Sequence, residues 1–146
     1  MIEMAYEQVL RDRVDNLDSR IHALEGELSQ ARKDLAEGQE LQTYLRTTQA
    51  DFEGHQQHRR TALRVVGDSR LRTRTLQSYV DRMGENLNGN RARAVSQSVQ
   101  DTLRATDLRV QHLSDVVDDL ERSLSNTCTY QSEMQDQLRR LLSQEP

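Results

Sequence analysis

Val66-Gly67-Asp68-Ser69-Arg70 is the stretch that decides how this chain folds. On either side lie long polar segments in which apolar residues recur every three or four positions, the spacing of one face of an α-helix. Gly67 suits the position just after a helix C-terminus, and Asp68 or Ser69 can cap the start of the next helix. The stretch therefore reads as the tip of a helical hairpin.

Toward the N-terminus, Leu10, Val14, Leu17, Ile21, Leu24, Leu28, Ala31 and Leu35 alternate spacings of four and three, which is a heptad seam. At Gly38 the register is expected to slip, because the next apolar residues are Leu41, Leu45 and Phe52. Nearer the tip the seam turns polar at His55 and Arg59 before Ala62, Leu63 and Val66. Gly26, Gly38 and Gly54 each cost a helix about 1 kcal/mol relative to Ala and read as tolerated defects.

Beyond the tip come Leu71, Leu76, Val80, Met83 and Leu87. Residues 83–90 contain Gly84, Asn86, Asn88, Gly89 and Asn90 and form a second break, at 84–90. The pattern then resumes with Val95, Val99, Leu103, Thr106, Val110, Leu113, Val117, Leu120 and Leu124, followed by Met134, Leu138 and Leu141. With the tip near residue 68, facing positions total about 136, Leu28 meets Leu108, and Gly54 comes level with Gly84, where a kink is expected. With the tip near Asn88, about the first 30 residues lack an internal partner. The first register buries more, but both remain open.

The composition fits a thin seam. The chain is 34% hydrophobic, 3% aromatic and 30% charged, with one proline, at the last position. That is too little apolar material for a thick core, whereas sustained periodicity argues against disorder. A net charge of −4, near balance, argues against generalised nucleic-acid or membrane binding. The lone Cys128 cannot form an internal disulfide and is compatible with a cytoplasmic location. There is no apolar run of membrane-span length, and Met1-Ile2-Glu3-Met4 does not begin a classical signal peptide.

Candidate sites are few. Arg59, Arg60, Arg64, Arg70, Arg72 and Arg74 cluster around the tip against Asp68 alone. Such a cluster can face phosphate or an acidic partner, but it lacks aromatics for base stacking. His55 and His58 share a helix face, yet a metal needs more ligands than these two. Asp115, Asp118, Asp119 and Glu121 read as a solvated face, since acid–base chemistry needs an enclosing pocket. With no phosphate loop and no nucleophile motif, the expectation is a non-enzyme with no cofactor or metal.

A Trp-free heptad hairpin with Leu87-Asn88-Gly89 in the place of a Trp-x-Gly turn resembles the small helical partners of bacterial type VII secretion. These are hairpins related to the WXG family, and some act as targeting factors for LXG toxins. Two departures stand out: there is no Trp, and no Tyr-x-x-x-Asp/Glu export signal, because Met134 follows Tyr130 and Met83 follows Tyr79 at that spacing. The resemblance implies a chaperone that binds the helical N-terminal region of a toxin and is co-exported with it or hands it over. It would also move the tip toward Asn88.

The expectation is thus an all-α, elongated, antiparallel, coiled-coil-like helical hairpin in a single domain, 1–146. Arm one runs over about 4–66, the tip over 67–69, and arm two over about 70–143. Arms of about 60 residues would make a rod on the order of 90 Å. A two-helix seam is thin, and Val116, Leu142, Tyr44 and Tyr79 beside it widen the apolar stripe toward a bundle pattern. The function expected is that of an adaptor whose seam residues Leu17, Ile21, Leu24, Leu28, Leu113, Val117, Leu120 and Leu124 carry partner binding. The partner would be another helical protein or a second copy. A self-assembling structural coiled coil and a nucleic-acid-binding Arg tip are the alternatives.

Overall fold

The structure, a computed structural model, describes residues 2–68 and 73–144. It is an all-α helical hairpin of three helices: α1 (Ile2–Gly67), α2 (Arg74–Asn88) and α3 (Asn90–Ser143). Contacts divide the chain into two units, one of Met1–Glu37 with Gln111–Pro146 and the other of Gly38–Val110.

α1 is one uninterrupted helix through Gly26, Gly38 and Gly54, as expected of a long segment without proline. Its seam does not slip at Gly38. Gly38, Gln42, Leu45, Gln49, Phe52 and Gln56 are half-buried, in phase with Leu10 to Leu35, whereas Leu41 is 49% exposed. The backbone ladder holds its phase whatever the side chains, so the heptad continues while its contents become polar. In heptad letters, Leu10, Leu24 and Leu45 are d, and Ile21, Leu28, Gln42, Gln49 and Gln56 are a.

The chain reverses between Gly67 and Thr73, later than the 67–69 expected; Ser69 lies outside the described residues. The cap of the next helix is Thr73, extended at φ −93, ψ 158, whose hydroxyl accepts from Leu76 N. Facing positions accordingly total more than 136. A Cβ on Gly67 would lie 3.8 Å from Val80, and one on Gly84 4.0 Å from Leu63. Gly84 is therefore not level with Gly54, and Leu28 clusters with Val117 while Leu108 is 69% exposed. The alternative tip at Asn88 is also excluded. Leu63 packs beside Gly84, and further back along α1 Phe52 and Gln56 share a groove with Ala92 and Ser96, so α2 and α3 run the same way against α1.

The second break narrows to one residue. Gly89 is extended between α2 and α3, and its N–H donates to Glu85 O at 2.6 Å. A Cβ there would collide with that carbonyl oxygen and with the Glu85 side chain. The interruption shifts the seam by two positions, from Leu87 (a) to Ala92 (d), after which spacings of four and three run unbroken through Ser96, Val99, Leu103 and onward to Leu141. Val95, read as seam from the sequence, is a 49% exposed flank residue.

In the first unit Leu10, Ile21, Leu24, Leu28, Ala31, Leu113, Val117 and Met134 are buried. Leu28, Ala31 and Val117 form a cluster against which Leu35, Val116, Leu120 and Leu124 pack. In the second unit the only buried hydrophobic residue among those described is Leu87.

Candidate partner-binding edge

The eight seam residues proposed from sequence lie at a and d. Ile21, Leu24, Leu28, Leu113 and Val117 are buried, and Leu17, Leu120 and Leu124 are half-buried. They face the opposite arm of the same chain, so what is left to meet a partner is the flank on either side of the seam.

Those flanks differ. Arg32 Nη2 lies 3.0 Å from Glu121 Oε1 in the first unit, and Arg46 Nη2 lies 3.4 Å from Asp107 Oδ1 in the second. All four residues are at e, so in each unit the e positions of both arms share one edge. Asp107 also accepts from Gln42 Nε2, which gives that seam glutamine a partner. The g positions, with the c positions of α1 behind them, therefore share the other edge.

Nine of the twelve exposed large hydrophobic residues among those described lie on this g edge. In the first unit they are Ile2, Tyr6, Val9 and Tyr130, and in the second Leu41, Tyr44, Val65, Tyr79 and Val95. Met4 and Leu142 fall on the e edge, and Leu108 on the outer face. Single exposed apolar residues are ordinary; within each unit, taken by itself, most of them fall on the g side. In the second unit the edge opens into a groove of about 410 Å³ lined by Ala62, Leu63, Val66, Tyr79 and Met83.

The arginine tip is only partly free. Arg60 Nη2 donates to Leu87 O at 3.2 Å, filling a last-turn carbonyl of α2 that the helix itself leaves open. Arg59 borders the apolar groove. Arg64 stands in the last turn of α1 and Arg74 at the start of α2, whereas Arg70 and Arg72 lie outside the described residues. Of the turn motif, Leu87 is 3% exposed and Gly89 is the helix junction.

Among the described residues no group of three His, Cys, Asp or Glu could hold a metal. His22 donates to the Asp18 carbonyl at 2.9 Å, and this bond, with the Asp18 carboxylate, raises its pKa above the ordinary histidine value. Asp115, Asp118, Asp119 and Glu121 do not act as one group: Glu121 pairs with Arg32, Asp119 with Arg122, and Asp115 accepts from Gln111. Cys128 is exposed. No described helix is long and apolar enough to cross a membrane.

Comparison with protein-family models, curated proteins and solved structures yields no match.

Proposed function

We propose that this chain is a non-enzymatic helical adaptor whose second unit docks a helix of another protein on its g edge. The observation that carries this reading is the groove lined by Ala62, Leu63, Val66, Tyr79 and Met83, with exposed Val65 beside it and exposed Leu41, Tyr44 and Val95 further along the helices, in a unit whose own seam buries little. An amphipathic helix laid in such a groove would bury its apolar face by the helix-in-groove mode, with Tyr79 as an aromatic anchor. The resemblance to type VII partner hairpins supports a specific occupant, the helical N-terminal region of an LXG toxin. In that reading the chain is a cytoplasmic targeting factor that is co-exported with the toxin or hands it over.

The test is co-expression with proteins encoded by neighbouring genes, an LXG toxin's N-terminal region included, followed by light scattering. The expected result is a heteromeric complex that Tyr79→Glu with Val95→Glu abolishes while helicity stays unchanged. A complex indifferent to both substitutions, or none with any neighbour, overturns the proposal.

A further inference from the structure

The g edge of the first unit carries charges in an order that the e edge lacks. Along α1 its g positions read Arg13, Arg20, Glu27, Asp34, two basic and then two acidic. Among the described residues none of the four has an ion-pair partner, whereas Arg32 on the e edge reaches across to Glu121.

This order complements its own reversal. A second α1 laid antiparallel about a centre between Ala23 and Leu24 sets Arg13 against Asp34 and Arg20 against Glu27, each twice by symmetry. The c positions follow to within one residue, Asn16 meeting Gln30, and Ala23 beside the centre leaves room for two helices to approach. α3 is compatible with the same reversal, though its g row holds one charge, Arg109. Reversed about Ser123, it places Val116 against Tyr130 and His112 against Glu133, with Asp119 beside Asn126.

The two centres coincide. Positions in contact across the arms in this unit total 145 for Val14 with Gln131, and 145 and 148 for Leu28 and Ala31, which share a cluster with Val117. Ala23 and Leu24 total 146 and 147 with Ser123, within that range, so one two-fold axis, perpendicular to the helices, passes through both centres. We infer that the g edge of the first unit is a homodimer interface, with a second copy completing an antiparallel four-helix bundle α1 on α1 and α3 on α3. Such an isologous contact is self-complementary by symmetry. Like charges would face each other if the copies ran parallel, so the pattern also specifies direction. The inference goes beyond the adaptor reading, which concerns the second unit.

The test uses two full-length variants. Arg13→Glu with Arg20→Glu makes the row wholly acidic, and Glu27→Arg with Asp34→Arg makes it wholly basic. Wild-type protein is expected to sediment as a dimer at low salt, and each variant alone to dimerise about tenfold or more weakly. An equimolar mixture is expected to regain the dimer, since every acidic position then faces a basic one. A monomeric wild type, variants that dimerise as wild type does, or a mixture no tighter than its parts overturns the inference. A second test needs no charge change. In a Cys128→Ser background, Ala23→Cys is expected to give a disulfide-linked dimer on oxidation. Failure to cross-link with circular dichroism unchanged also overturns it. Neither test reads binding of a different protein.

Discussion

Two stretches of α1 have the same heptad geometry and different contents. From Leu10 to Leu35 every a and d position is apolar, and Leu10, Ile21, Leu24, Leu28 and Ala31 are buried. From Gly38 to Val66 the same positions carry Gly38, Gln42, Gln49, Gln56 and Arg59 among Leu45, Phe52 and Leu63. Gln42 finds Asp107, but Gln56 Oε1 is enclosed without a hydrogen-bond partner among the described residues. A helix can thus run in phase through a stretch whose seam contributes little. Phase comes from backbone hydrogen bonds, and stability from the apolar area those bonds bring together.

The contrast can be broken most severely at Leu24, which is 3% exposed. Leu24→Asp would bury an unpaired carboxylate and should abolish folding, read as lost helicity; Leu24→Ala should cost about 2–5 kcal/mol in denaturant unfolding. Retained helicity in Leu24→Asp would show that the first unit is not the stabilising one. At the junction, Gly89→Ala should cost about 1–3 kcal/mol, because its Cβ would collide with the Glu85 carbonyl and break the Gly89 N–H bond. Thermal denaturation measures this, and an unchanged midpoint would mean that α2 and α3 can join otherwise.

Sharpening the contrast calls for the opposite sign. Gln56→Leu should stabilise by about 1–2 kcal/mol, since it removes an unsatisfied buried oxygen and adds apolar area at an a position. The urea midpoint should rise, and a fall would mean that the amide has a role in the seam. The smallest effect is expected on the e edge. Arg32→Ala breaks an ion pair whose side chains are 59% and 47% exposed and should cost no more than about 1 kcal/mol; a double-mutant cycle with Glu121→Ala isolates that term, and a larger coupling would make the edge a determinant of register.

Much of this was legible from residue order. Leu10 through Leu35 and Leu103 through Leu124 announce helices by spacing alone, and Gly67 and Gly89 mark the two interruptions. The slip read at Gly38 came from equating the seam with apolar residues. Gln42, Gln49 and Gln56 stand seven apart, a signal that was present and polar. Arg60 reads from sequence as part of a tip cluster facing phosphate or an acidic partner, because its acceptor, Leu87 O, belongs to a different helix.

By itself, then, the sequence determined the helices, the seam from Leu10 to Leu35 and from Leu103 to Leu124, and the approximate places of the breaks, because helical periodicity and the helix-weakening effect of glycine are properties of a few neighbouring residues. Only the tertiary structure decided the register between the arms, the Thr73 cap, the engagement of Arg60 and the division into an ion-paired edge and an apolar one. Each of these depends on which residues the reversal sets side by side. That alignment is fixed by the sum of many weak cross-arm contacts, none of them strong enough to be read from one arm alone.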